Sequence, residues 1–382
     1  MPIAELTRNA VSVLPEGGLE AKLKLGRPLR VKLGIDPTGP DIHLGFAAVL
    51  NRLRAFQDEG HIAVLIVGDY TARIGDPSGR SIERQVLPDD VLDANAKLFA
   101  EQAFSILDRD RTELRFNGEW LGKLDYAELV RLTRTGTVAR LLERDDFAKR
   151  FGLHEPISVS ELLYPFAQGY DSVAVQADIE VGGTDQLYNL LMGRDVMAHY
   201  GLDPQIVITY ELLVGTDGAD KMSKSVGNYV GIDEPPEEQF GKVMSIPDSA
   251  LPQWWRMTLD QEPPDGDAID SKLALARGIV SRYGSPAAAQ RAEEHFTRVV
   301  RDRELPEDVP ECSLPAGDPI HLPAVLADAF DLSTSEARRL IAQGGVKLDG
   351  DMVGELDLPR ERLEGAVLQA GKRRFVRLNG AA

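Results

Sequence analysis

The sequence predicts an α/β protein: a parallel-sheet domain with a helical insertion, then a helical segment, then a small mixed unit at the end. Three runs carry that expectation. Arg30–Ile35 (RVKLGI) reads as a short strand closing on the turn-rich DPTGPD. From Gly45 onward, Phe46, Val49, Leu50, Leu53 and Phe56 recur at three- and four-residue spacings, one apolar helical stripe that Gly60 stops. His61–Gly68 (HIAVLIVG) is a continuous apolar run, as expected of a parallel strand buried on both faces. Strand, helix and strand form a βαβ unit, and such units bind ligands at the carboxyl ends of their strands, where DPTGPDIHLG lies.

Two further strands are expected at Val173–Val181, running into GGTDQ, and at Gln205–Tyr210, shortly before LLVGTDG. Between them and the βαβ unit, Leu87–Glu161 is charged and helical in pattern and reads as an insertion. After Asn228 the strand signals fade, and residues from about Pro235 to Arg303 read as helices broken at Pro263–Pro264 and Gly284–Pro286. The proline-rich Leu305–Asp318 reads as a linker. The expected domains are therefore 1–228, 229–304 and 320–382, joined by a linker at 305–319.

With 382 residues the chain exceeds one ordinary domain. Its first residues lack a basic stretch followed by an apolar one, and no apolar run approaches the roughly 18 residues a membrane span needs. One cysteine, Cys312, excludes an internal disulfide. A soluble cytoplasmic protein is expected. The net charge of −18 argues against a generally nucleic-acid-binding surface. The charge is uneven, however: Ile320–Ala382 balances nine basic against nine acidic residues, so the whole deficit falls on the rest. A neutral tail on an acidic body hints at a separate partner for the tail.

Two segments carry chemistry. Asp41-Ile42-His43-Leu44-Gly45-Phe46 sits between a strand and a helix, where unpaired N–H groups and the positive dipole end favour a phosphate. Gly45 allows a nucleotide close to the backbone, and His43 is placed to donate to a phosphate oxygen. Lys221-Met222-Ser223-Lys224-Ser225, bounded by glycines, forms a cationic loop suited to a pyrophosphate leaving group. Tyr164, Gln168 and Asp171 fall at spacings of four and three, so one helix face presents all of them.

In order along the chain, GIDPTGPDIHLG, GDPSGRS, YPFAQGYDS, VGGTDQ, LLVGTDG and KMSKS together resemble the bacterial tyrosyl-tRNA synthetase family of the class I aminoacyl-tRNA synthetases. The resemblance implies a Rossmann-like catalytic domain, a helical anticodon-binding domain and an S4-like RNA-binding domain, assembled as a homodimer. It implies tyrosine, ATP and tRNA as substrates, magnesium carried on ATP, and no tightly bound cofactor. It places Gly34, Asp36, Thr38, Gly45 and Phe46 around ATP, with Thr38 and His43 toward the γ-phosphate. Gly183 and Asp185 take the adenylate ribose, Leu213 and Val214 flank adenine, and Lys221 and Lys224 form the mobile loop. Asp76, Tyr164 and Gln168 receive the α-ammonium group; Asp171 accepts from the phenol, with Gln186, Thr71 and Lys32 also lining that pocket.

Two positions depart from the family pattern. Phe46 replaces the second signature histidine, and either loses a phosphate donor or packs with the helix stripe. Lys32 stands where many members have a tyrosine, and either meets the phenol oxygen or reaches solvent. In the tail, Leu332–Ile341 reads as a capped helix and GGVKLDG as the turn into a strand. The S4-like pattern turns Arg338, Arg339, Lys372, Arg373 and Arg374 toward RNA phosphates. The alternatives are a tryptophan-specific relative, a stand-alone nucleotidyltransferase, or a non-catalytic RNA-binding paralogue.

Overall fold

The computed structural model describes residues 3–39, 41–78, 87–224, 226–298, 309–371 and 374–380. The chain divides into two compact units, residues 1–235 with 242–275, and residues 236–241 with 276–382.

The first unit is built on a six-stranded sheet in the order β1-β6-β5-β2-β3-β4. Its strands are β1 (Ala10–Leu14), β2 (Arg30–Ile35), β3 (Ile62–Val67), β4 (Thr112–Phe116), β5 (Ile179–Gly183) and β6 (Ile206–Tyr210). All neighbours are parallel except β1, which runs antiparallel to β6. The chain leaves β2 toward β3 on one side, while β5 and β6 lie on the other, so the winding reverses between β2 and β5. That switch point opens a crevice at the strands' carboxyl ends.

β2, β3 and β6 fall where the sequence places them: β3 and β6 are buried, largely apolar runs, and β2 buries Val31, Leu33 and Ile35 on the sheet. Helix Leu44–Asp58 follows β2 and buries Ala47, Leu50, Leu53 and Phe56. Other expectations need correction. Leu87–Glu161 is not simply an insertion: helix Asp89–Ala103 leads into β4, which pairs with β3 as the sheet edge. β4 is half-buried throughout and reads TELRF, so it lacks the continuous apolar run of an inner strand. Val173–Val175 is the end of helix Val159–Val175, stopped by Gln176 at φ 50°, and β5 begins only at Ile179. A short apolar run reads alike as a buried helix end or a strand, which explains the misplacement. β1 has no counterpart in the sequence expectations.

In the second unit a five-stranded sheet runs β10-β9-β12-β13-β7. It comprises β7 (Glu311–Ser313), β9 (Val346–Leu348), β10 (Asp351–Met352), β12 (Val367–Ala370) and β13 (Arg374–Asn379); β8 (Ile320–His321) pairs separately with β11 (Asp357–Leu358). Helices Leu322–Phe330 and Thr334–Ala342 pack Leu322, Leu326 and Ile341 into a core with Leu368 and Leu378. Ser333 and Glu336 form the expected capping box. β7 lies inside the stretch read as a linker, yet it pairs in parallel with β13. The small sheet therefore begins by Glu311, and the earlier part of that stretch, 305–308, lies outside the described residues.

Candidate active site

A cavity of about 820 Å³ lies over the sheet in the first unit. β2 and the turn after it supply Gly34, Asp36, Thr38 and His43, and the first turn of helix Leu44–Asp58 supplies Gly45 and Phe46; the chain after β3 supplies Thr71 and Asp76. Helix Val159–Val175 contributes Tyr164, Gln168 and Asp171 on one face, β5 and its following turn Gly183, Asp185 and Gln186, and the later loops Leu213, Lys221 and Lys224. Nearly all the residues singled out in the sequence for ATP or the amino acid thus converge on one cavity.

On the phosphate side His43 is the N-cap of helix Leu44–Asp58, and its Nδ1 accepts the Gly45 N–H at 3.2 Å. A neutral imidazole held this way carries its proton on Nε2, as a donor. Burial, then the charges of Lys224 and Lys221, lower its pKa to about 3, so the ring is neutral at physiological pH. A Cβ at position 45 would sit 3.0 Å from the His43 ring, which is why glycine belongs there. Phe46 stacks on His43 with ring centroids 4.4 Å apart and meets Phe99 edge-on at 5.7 Å. It is half-buried and lines the cavity, so it braces the histidine and does not continue the deep core as the stripe suggested. Lys221 Nζ pairs with Asp185 at 2.6 Å and Lys224 Nζ with Asp41 at 2.7 Å. Such solvent-facing pairs are weak enough to exchange for phosphate.

On the other side Asp36 accepts from Tyr164 Oη at 3.0 Å and from Thr71 Oγ1 at 2.7 Å. Burial, then Asp36 and Asp76, push the Tyr164 phenol well above its ordinary pKa and keep it protonated. Asp76 accepts from Gln186 Nε2 at 2.8 Å, and Asn189 donates to Gln186 Oε1 at 3.0 Å. Arg144, buried between two helices of the insertion, holds Asn189 at 3.0 Å. This group of carboxylates with a phenol and two amides is a cation-accepting corner.

Asp171 is the most constrained member. It is 3% exposed and accepts from Trp120 Nε1 at 2.8 Å and Asn117 Nδ2 at 3.2 Å. Burial raises its pKa to about 6, against the lowering effects of Lys32, Trp120 and Asn117. Asn117 also donates to Thr71 Oγ1 at 2.9 Å, tying the two sides of this end together. Sequence reasoning missed Asn117 and Trp120. Asn117 directly follows β4, but that strand reads in the sequence as part of a charged helical stretch.

Two expectations change. Lys32 neither lines the cavity nor reaches solvent: it is 0% exposed and its Nζ pairs with Glu180 at 2.8 Å. It points inward from β2, where only an ion pair offsets burial of its charge. Val214 does not line the cavity either; its N–H donates to Gln253 and it bridges Lys221 in a short antiparallel contact, while Leu212 and Leu213 face the cavity. In the second unit Arg338, Arg339 and Arg374 are exposed, Arg338 lying 3.3 Å from His321 Nε2, whereas Lys372 and Arg373 fall outside the described residues.

Comparison with known proteins gives this arrangement its context. The family model of the class I tRNA synthetases (W and Y) matches residues 24–297. The tyrosine–tRNA ligase of Moorella thermoacetica is 48% identical, over 98% of this chain and 94% of its own length. That of Thermotoga maritima is 46% identical, over 98% of this chain and 96% of its own. Among solved structures, the tyrosyl-tRNA synthetase from Archaeoglobus fulgidus complexed with L-tyrosine superposes with a TM-score of 0.62 at 20% identity, covering 76% of this chain and 98% of that one, which speaks to the fold. With the family model matching most of the chain and relatives near half-identical along its whole length, the chain belongs to the class I tRNA synthetases of the tryptophan and tyrosine group.

Proposed function

We infer that this chain is a tyrosine–tRNA ligase. It joins tyrosine to ATP as tyrosyl-adenylate, releasing pyrophosphate, and then transfers the tyrosyl group to the 3′ end of its tRNA. The observation that carries the reading is one cavity with two chemically distinct ends. One holds the His43 helix cap and the two loop lysines; the other holds a buried acceptor, Asp171. The relatives' names support the same substrate.

In the first step the tyrosine carboxylate oxygen attacks the α-phosphorus and the bond to the β-phosphate bridging oxygen breaks. No enzyme nucleophile is needed, so positioning and electrostatics supply the rate. The Nε2–H of neutral His43, with Thr38, meets charge on the phosphates, and Lys221 and Lys224 leave their carboxylates to follow the departing pyrophosphate. Magnesium enters on ATP. Gly183 and Asp185 face the ribose, and Leu213, with Leu212 as its neighbour in the cavity wall, faces the base. At the far end, Asp76, Tyr164 and Gln168 take the ammonium group, and Asp171 takes the phenol hydrogen. Phenylalanine at that position would leave a buried carboxylate unpaired.

We assign residues 229–304 to anticodon recognition and the last unit, through Arg338, Arg339, Arg374 and the neighbouring Lys372 and Arg373, to tRNA phosphates. We also propose a homodimer acting in the cytoplasm. The exposed apolar side chains Tyr126, Val138, Phe151, Leu153 and Val159 fall within one segment of the first unit and support a subunit contact there. No described helix is long and apolar enough to cross a membrane. Charging assays with tRNA test the reading: tyrosine should be transferred and tryptophan should not, and transfer of tryptophan alone would overturn it.

A further inference from the structure

Beneath the cavity floor lies a buried polar network. Glu180 on β5 accepts from Lys32 Nζ at 2.8 Å, from Gln168 Nε2 and Ser172 Oγ at 3.3 Å each, and from Gln205 Nε2. Lys32 spends its other two N–H groups on Ser172 Oγ at 2.8 Å and the Gln168 backbone carbonyl at 3.0 Å. Every member is at least nine-tenths buried. Gln168 alone among these side chains also lines the cavity.

A carboxylate only accepts, so the Gln168 atom facing Glu180 is its NH2, and the amide oxygen is turned away. That oxygen, Oε1, is buried and has no hydrogen-bond partner. An orphaned carbonyl on a cavity-lining side chain is costly until a donor arrives. Replacing Glu180 by a group that both donates and accepts would free the amide to flip and aim two N–H groups at an incoming cation. Lys32, in turn, offsets the cost of burying the Glu180 charge.

We propose that the Lys32–Glu180 ion pair is a positioning device for the amino-acid site, locking the Gln168 amide with its oxygen toward the substrate's α-ammonium group. The proposal rests on the tyrosine reading above. It also explains a lysine on β2 that meets neither substrate nor solvent: it selects for the ammonium group from behind.

The test compares two ligands of the full-length chain by calorimetry, L-tyrosine and 3-(4-hydroxyphenyl)propionate, which lacks the amino group. The double variant Lys32→Met/Glu180→Gln removes both charges together and leaves no unpaired buried ion. It should lose about tenfold or more of the wild-type preference for tyrosine, the scale of one hydrogen bond to a charged group, with the analogue's affinity nearly unchanged. In pyrophosphate exchange the KM for tyrosine should rise while kcat holds. Glu180→Asp keeps the ion pair but shortens its reach to Gln168, and should lose the same preference if the double variant does not fold. Equal weakening of both ligands would mean a merely structural role and overturn the proposal, as would an unchanged preference. A wild type that does not bind tyrosine at all would instead sink the functional reading.

Discussion

Replacing Asp171 by asparagine keeps the side chain's shape and removes its charge, and the consequences follow from the partners around it. In the protein as it stands, Trp120 and Asn117 both donate to Asp171, and a substrate phenol would be a third donor. A hydrogen bond to a buried charged acceptor contributes about 1.5–3 kcal/mol, or roughly 10- to 150-fold in affinity. An asparagine offers one acceptor oxygen and turns its NH2 toward another donor, so it cannot satisfy all three. The tyrosine-to-phenylalanine ratio of kcat/KM should therefore fall by about 10- to 100-fold. The pH dependence has a definite sign. With the carboxyl at about 6, tyrosine affinity should decline as pH falls through that value, and Asp171→Asn should abolish the inflection. Stability moves oppositely: the fold favours the protonated acid, so stability is full below the ordinary carboxyl pKa and is lost as pH rises through about 6. The variant removes that titration but sets its NH2 against a buried donor, so its melting temperature should depend less on pH than the wild type's. Steady-state kinetics with both amino acids, and melting curves at several pH values, measure these effects. An unchanged ratio of specificity constants would refute the assignment of phenol recognition to Asp171.

His43→Ala should slow adenylate formation about a hundredfold in single-turnover assays, with tyrosine affinity unchanged, since one transition-state donor is lost; equal loss of binding would mean a collapsed pocket. Because His43 is already neutral with its pKa lowered to about 3, the wild-type rate should show no inflection from it around the ordinary histidine value, between about pH 5 and 8. Lys224→Ala should likewise lower the rate more than the binding. Phe46→His should gain little, because the ring already braces His43 through a 4.4 Å stack; rescue of an inactive wild type would favour the non-catalytic paralogue. Deleting residues from 309 onward should leave pyrophosphate exchange nearly intact while impairing tRNA charging, and the cut belongs before β7 because that strand is part of the small sheet.

Local patterns made the inner sheet and the site legible in the sequence. β3 is an uninterrupted apolar strand and β2 buries Val31, Leu33 and Ile35 around Lys32, and the residues at the carboxyl ends of both had to approach one another once the strands lay parallel. The i, i+4, i+7 spacing of Tyr164, Gln168 and Asp171 needed only a helix to become one face. What escaped depended on tertiary position. β4 alternates polar and apolar side chains because it is an edge, and so hid Asn117 and Trp120. Lys32 offered no clue that Glu180, far away in the chain, would meet it. Phe46 was legible as apolar but not as a cavity wall, since periodicity reports which face is apolar and not what that face touches.

The most direct measurement is ATP–pyrophosphate exchange by the wild-type chain with each of the twenty amino acids in turn. Tyrosine should support strong exchange, and phenylalanine and tryptophan a response lower by at least about tenfold, the least that one buried charged acceptor supplies. Exchange with tryptophan in place of tyrosine, or with no amino acid at all, would contradict the tyrosine reading.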